Sequence, residues 1–185
     1  LIRQAAGHMR EKGWGRIINM GSEAWRGTVG QINYGAAKGG VFSLKRGIAR
    51  ELGRYGITVN TMCPAAATRL TMDEAVKEGF RKRLEAGLIT QARYDAVVNM
   101  GGPEFIAPFA TYLCSDEAAH INGQAFRVER GMIGIYNDPE LRATLSYPED
   151  EIPSFDDLAK LVPKALLANY TNPAPKADPE KADKA

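Results

Sequence analysis

Two short apolar runs, GRIINM at 15–20 and ITVNTMCP at 57–64, bracket a stretch whose apolar residues recur every three or four positions, and no other feature constrains the fold as tightly. Each run is rich in branched aliphatic residues, too short for a stable helix, and continuous rather than alternating. A strand covered on both faces reads this way. Between the runs, Ala37, Val41, Leu44, Ile48 and Leu52 fall on one side of a helix from Tyr34 to Leu52, with Lys45, Arg46, Arg50 and Glu51 elsewhere and Gly53 and Gly56 closing the pattern. A connection this long carries the chain across a sheet face, so the second strand lies parallel to the first with a right-handed crossover.

The alternation extends both ways. Leu1, Ala5, Ala6 and Met9 repeat at helical spacing up to Gly13, which predicts a helix ending near Lys12. Pro64 has no N–H to donate and is expected to end the pairing of the second strand. From Thr71 to Asn99 the chain is charged and weakly amphipathic, which suits one or two surface helices, a lid over a cleft spanning about 69–99. Pro103 then marks a helix start, apolar residues run on to Leu113, and NGQAFRVERGM resumes strand character, a third helix-to-strand step. After Tyr136 the composition becomes turn-rich. Ser154 is an N-cap candidate for a helix that continues past Pro163, giving a C-terminal extension over 137–170, and TNPAPKADPEKADKA predicts a disordered tail over 171–185.

A chain of 185 residues accommodates one domain and a tail. Its net charge of +2 comes from interspersed residues rather than a basic block, so neither nucleic acid nor a membrane surface is an expected partner. With no run of about 18 apolar residues and no signal segment, the reading is a soluble, cytoplasmic protein. Cys63 and Cys114 stand in separate apolar contexts without metal-ligand spacing, so both are expected to be buried, reduced thiols, and no metal site is expected. Met62, Cys63 and Met132 are assigned to the core, and His8 and His120 to structural roles. The sequence opens at Leu1 in what reads as the back half of a helix, and is read as a fragment.

The stretch SEAWRGTVGQINYGAAK holds the chemistry. Tyr34 and Lys38 are four apart and share a helix face, the one tyrosine of seven with a lysine at that spacing, and Ser22 follows directly on the first strand. An exposed tyrosine beside a solvated lysine is the plain alternative for such a pair. A phenol ionises only near pH 10, so a tyrosine that takes a proton near neutrality needs a cation beside it to stabilise the phenolate by about 4 kcal/mol. Lys38 is placed to supply that charge, and Ser22 to hold a substrate oxygen. Trp25 and Arg26 flank the site, either shaping a substrate entrance or decorating a loop.

Taken together, GRIINMGSEA, GQINYGAAKGGVFSLKRGIARELGRYGITVN, CPAAATRLT and SDEAAHINGQAFRVERGM resemble the second half of a short-chain dehydrogenase/reductase, over roughly Leu1 to Tyr136. The resemblance implies an α/β fold, a Rossmann-like doubly wound parallel sheet of which this is an incomplete C-terminal portion, and an NAD or NADP cofactor whose Gly-rich phosphate site belongs to the half not present. It makes Tyr34 the catalytic acid/base, Lys38 the group that stabilises its phenolate and holds the nicotinamide ribose, and Ser22 the residue that positions the substrate oxygen. It places Pro64, Ala65, Ala66, Ala67 and Thr68 in the loop at the nicotinamide carboxamide.

PAAATRLT further resembles the branch containing 3-hydroxyacyl-CoA dehydrogenases, which implies a small-molecule alcohol or carbonyl substrate such as an acyl-CoA or a steroid. The family also implies a homo-oligomer through helix 34–52. Two departures are visible. The eleven residues between Ser22 and Tyr34 are one fewer than the family's usual spacing, so an ungapped count falls on Gly21, and Ala65 stands where the family commonly has glycine. A non-catalytic oligomerisation module is the alternative, because Ala36, Ala37, Gly39, Gly40 and Gly47 would allow close packing of that helix.

Overall fold

The computed structural model describes residues 1–148 and 150–173. Helix α1 (Ile2–Lys12) stops at Gly13, whose left-handed φ of 63° lets its N–H turn back to the Arg10 carbonyl. Strand β1 (Gly15–Met20), a 3-10 turn (Glu23–Arg26), helix α2 (Ile32–Leu52) and strand β2 (Ile57–Ala65) follow. Helices α3 (Glu74–Glu85), α4 (Gln91–Val98) and α5 (Ala107–Leu113) lead to strands β3 (Ala125–Glu129) and β4 (Met132–Ile135). The sheet runs β1-β2-β3-β4, the first three strands parallel and β4 antiparallel to β3.

Continuous apolar strands imply two covered faces, and both are covered. Ile17, Ile57 and Val59 pack with Ala6 and Met9 of α1 and with Ile48, Ala49 and Leu52 of α2. Their neighbours in the alternation, Ile18, Met62, Phe126 and Val128, pack with Ile106, Phe109, Ala110 and Leu113 from the region of α5. The result is an α/β fold with a parallel-dominated, doubly wound sheet of Rossmann-like type. Each fully buried side chain of this size contributes roughly 1.5–3 kcal/mol. Asn122 joins the layers: its amide oxygen accepts from the Val59 N–H at 2.8 Å and its amide nitrogen donates to the Ala49 carbonyl at 3.1 Å.

Several expectations need correcting. Pro64 does not end β2, which runs on to Ala65 with Pro64 opposite Val128. The Thr61 N–H points to the β3 side, donating to Gln124, so in this alternation the missing N–H of Pro64 faces the β1 side. There β1 has already ended at Met20, opposite Met62, and no bond is lost. A hairpin at Gly131, where φ is 78°, adds the antiparallel strand β4, and on this edge Met132 is exposed rather than core.

Helix α2 starts at Ile32 and buries a different stripe from the one its hydrophobic pattern suggests. Phe42, Lys45, Ala49 and Leu52 are inside, while Leu44 is half exposed. The Lys45 amine has no hydrogen-bond partner among the described residues. Burial lowers its pKa, Arg46 adds to that, and Asp138 and Cys63 oppose it.

A second compact unit begins at Pro139. It contains α6 (Phe155–Ala165), capped by Ser154, whose hydroxyl accepts from the Asp157 N–H at 3.1 Å; Pro163 lies inside the helix. Residues 174–185 of the expected tail lie outside the described residues. Among the described residues no helix is long and apolar enough to cross a membrane, and no group of His, Cys, Asp and Glu is arranged to hold a metal.

The two cysteines differ. Cys63 is buried on β2 in a cluster with Phe42 of α2, and burial followed by the nearby Glu23 carboxylate pushes its thiol up to about 12. Cys114, expected to be buried, is exposed at the end of α5. A thiol reagent such as DTNB at pH 8 therefore titrates one thiol in the folded chain, lost in Cys114→Ser, and a second only after denaturation. Fast labelling of both in the native state would contradict this packing.

Candidate active site

The site begins where β1 ends. The Gly21 N–H donates to the Met62 carbonyl at 2.6 Å, which seats Gly21 between the sheet and α2. A Cβ there would lie 2.7 Å from the Cys63 sulfur and 2.8 Å from Thr61 Cγ2, so any side chain at position 21 would force those neighbours to shift. Ser22 is extended and caps the 3-10 turn, its Oγ accepting from the Ala24 N–H at 3.3 Å. Trp25 packs inward, stacked on Phe42 with ring centroids 4.3 Å apart and edge-on to Tyr136. It is half-buried and packs against the core. Glu23 anchors the turn from its other side through Arg127 Nη1 at 2.9 Å, and Arg127 also holds Glu129 at 2.7 Å.

Helix α2 then returns against this turn with backbone touching backbone. A Cβ on Gly35 would stand 2.8 Å from the Ala24 carbonyl oxygen, so glycine is what allows the approach. One helical position earlier is Tyr34, and one turn later is Lys38. The Lys38 Nζ lies 5.6 Å from the centroid of the Tyr34 ring and donates to the Met20 carbonyl at 2.8 Å, linking the tyrosine's helix face to the end of β1. Tyr34 is 43% exposed, and its hydroxyl has no protein partner among the described residues. The arrangement is an open phenol, a fixed ammonium beside it, and a serine hydroxyl at the neighbouring strand end.

The predicted cofactor loop lies at the carboxyl end of β2, where ligands of open α/β sheets bind. Pro64 and Ala65 still belong to the strand. Beyond it the Thr71 hydroxyl donates to the Ala66 carbonyl at 2.8 Å and accepts from the Thr68 N–H at 2.7 Å, and the Ala67 N–H donates to the Gly101 carbonyl at 2.7 Å. The loop is therefore held in shape by its own hydrogen bonds. Among the described residues none other than glycine has positive φ, so alanine at 65 is accommodated without strain. A ribose needs hydroxyl partners and a carboxamide needs backbone partners beside small side chains. Lys38 Nζ, the Tyr34 hydroxyl and the run Ala65 to Ala67 have the chemistry for the nicotinamide end of a dinucleotide.

Ser22 also opens onto a cleft. Two adjoining cavities of about 460 and 540 Å³ lie between the 22–31 segment and helices α3 and α4, sharing Glu23, Thr28, Arg83, Ile89 and Arg93 in their walls. Gln31, Val76 and Phe80 border the part beside Ser22, and Arg26 borders the other. The sequence suggested a lid here but gave no means to single out Arg83 or Arg93. Both line the cleft from helices whose starts are capped by the carboxylate of Asp73 and the hydroxyl of Thr90. His8 and His120 are exposed and stand apart from this region.

The model of a protein family described as enoyl-(acyl carrier protein) reductase matches residues 1–133. A short-chain reductase protein, NovJ, of Streptomyces niveus is 36% identical over 124 residues, covering 67% of this chain and 47% of the relative. Hydroxyacyl-CoA dehydrogenase ChsB1 of Mycobacterium tuberculosis is 35% identical over 155 residues, covering 79% of this chain and 45% of the relative. The crystal structure of a short chain dehydrogenase from Mycobacterium avium superposes with a TM-score of 0.68 at 31% identity, covering 94% of this chain and 54% of that one. The chain thus spans about half the length of the curated relatives it matches.

The close approach at Gly35 gives a mutational contrast. Gly35→Ala is expected to destabilise the fold by about 1–3 kcal/mol in urea unfolding, because the carbonyl of Ala24 must move. Gly7→Ala, in the open interior of α1 with nothing within 4 Å of the added methyl, is expected to stabilise by about 0.5–1 kcal/mol. Effects of the same sign would show that the backbone contact does not set the geometry.

Proposed function

The chain belongs to the short-chain dehydrogenase/reductase family, and from that premise we propose that it carries the proton-transfer half of an NAD- or NADP-dependent oxidoreductase that interconverts a secondary alcohol and a ketone. The observation that carries this reading is the Lys38 ammonium, fixed on the Met20 carbonyl and set beside the ring of Tyr34.

In the oxidation direction the Tyr34 phenolate takes the hydroxyl proton of the alcohol, and in reduction the Tyr34 phenol returns it to the carbonyl oxygen. Lys38 stabilises the phenolate through its positive charge, which acts strongly where the bound substrate has excluded water. Ser22 donates a hydrogen bond to the substrate oxygen and fixes its direction toward the tyrosine, as its place at the end of β1 allows. Lys38 and Tyr34 also take the ribose hydroxyls, and the segment Pro64, Ala65, Ala66, Ala67 and Thr68 takes the carboxamide. The nicotinamide, when bound, accepts or supplies the hydride.

Three finer statements belong to the same proposal. The substrate is a small alcohol or carbonyl compound carried as an acyl thioester, a reading supported by the name of the hydroxyacyl-CoA dehydrogenase among its relatives and by the size of the cleft next to Ser22. The protein works in a reducing compartment such as the cytoplasm, consistent with its two unpaired thiols. It forms a homo-oligomer through α2, whose Gly39, Gly40 and Gly47 have open space around them and whose Leu44 is half exposed. That outward strip also suits a purely structural module, which would oligomerise without binding a dinucleotide.

With the dinucleotide-binding half present, Tyr34→Phe is expected to lower kcat at least about a hundredfold while leaving the circular dichroism spectrum and the oligomeric state unchanged. Ser22→Ala is expected to act in the same direction but less. Retained turnover in Tyr34→Phe contradicts the assignment, and an oligomer with no dinucleotide binding favours the structural module.

A further inference from the structure

We propose that Arg83 and Arg93 form an anion-recognition site in the cleft beside Ser22, and that the anion is the phosphate group of a coenzyme A thioester substrate. This rests on reading the Tyr34 site as a dehydrogenase, and names the part of the substrate that the site selects.

Most of the cations of α3, which borders the cleft, are already paired: Lys77 with Glu74 at 2.7 Å, Arg81 with Glu78 and Glu85 at 2.7 Å each, and Lys82 with Glu78 at 3.8 Å. Arg83 is not. Its guanidinium sits 5.5 Å from the ring centroid of Phe80 and makes no ion pair or side-chain hydrogen bond among the described residues, and the same holds for the ion pairing of Arg93 across the cleft on α4. Both line both cavities.

The one carboxylate in those walls, Glu23, is already committed. Its Oε2 accepts from Arg127 at 2.9 Å and lies 3.6 Å from Arg26. The cleft therefore presents three guanidinium groups, of Arg26, Arg83 and Arg93, against one carboxylate that is shared with a fourth. Such a concentration of positive charge between low-dielectric walls attracts an oxyanion, and the planar fork of arginine binds phosphate oxygens two at a time.

The walls between the charges are apolar. Val76 and Phe80 border the end next to Ser22, and Val29 and Leu88 the far end. A ligand matching this layout has its reacting carbon near Ser22, an uncharged chain along the apolar walls and an anionic group at the guanidinium groups of Arg83 and Arg93. A thioester on a pantetheine arm ending in phosphates has that form. The cavities are also larger than a small free alcohol would need. A free dicarboxylate offers the same oxyanion chemistry on a shorter body, and the experiment separates the two.

The test is calorimetric binding of coenzyme A itself to the protein at low salt, with pantetheine and glutarate as the two comparison probes. Coenzyme A is expected to bind saturably, pantetheine at least about tenfold more weakly, and excess glutarate to displace neither. Arg83→Ala with Arg93→Ala is expected to weaken coenzyme A at least about tenfold, whereas Arg81→Ala, which removes a paired charge two residues away, leaves it unchanged. Arg83→Lys with Arg93→Lys, which keeps the charge and loses the fork, should fall between. Equal binding by the double alanine variant, equal binding of pantetheine, or displacement by glutarate, NAD or NADP overturns the proposal. Tyr34→Phe should not alter this affinity. A failure of the dehydrogenase reading therefore shows in turnover, and a failure of this one shows in binding.

Discussion

At Gly35 the backbone of α2 lies against the carbonyl of Ala24 with no room for a side chain between them, and everything else in the site follows from that contact. It fixes the start of α2 against the turn that Ser22 caps, and so puts the helix face of Tyr34 and Lys38 beside the end of β1. Gly21 performs the same service on the sheet side, wedged against Cys63, Thr61 and Phe42 where any side chain would collide. Two glycines without side chains thus let the start of α2, the end of β1 and the turn capped by Ser22 pack closely. The lysine then ties the arrangement off by donating to the Met20 carbonyl.

Behind the site the packing is aromatic, and polar groups are held with less economy. Trp25, Phe42 and Tyr136 form one cluster that pins the turn to the helix and to the segment after β4. Lys45 is fully buried next to this cluster without a hydrogen-bond partner among the described residues, a cost that burial ordinarily imposes on an amine. In front of the site the balance is reversed. Arg83 and Arg93 make no ion pair among the described residues, in a cleft whose neighbouring surface on α3 is laced with ion pairs.

The architecture was legible in the sequence because parallel strands buried on both faces leave continuous apolar runs and long helical crossovers, and GRIINM and ITVNTMCP show both. The pair Tyr34 and Lys38 was legible because a helix turns four-residue spacing into proximity. Other features depended on information no local pattern holds. The continuation of β2 through Pro64 depends on which neighbour the missing N–H faces, and the tight seat of Gly21 depends on the packing of Cys63, Thr61 and Phe42 around it. Apolar periodicity pointed α2 toward Val41 and Leu44, yet the helix buries Lys45, because the turn that Trp25 anchors and the contact at Gly35 set its rotation. Arg83 and Arg93 are ordinary charged residues in a charged segment until the fold shows which way they point.

The proposed reaction requires that Ser22 and Tyr34 converge on the same substrate oxygen. The most direct measurement is a crystal structure of the protein, with its dinucleotide-binding half and an alcohol or ketone substrate in place. One substrate oxygen is expected within about 2.6–3.2 Å of both the Ser22 hydroxyl and the Tyr34 hydroxyl. A substrate oxygen held by neither, or bound with Tyr34 turned away to solvent, would contradict it.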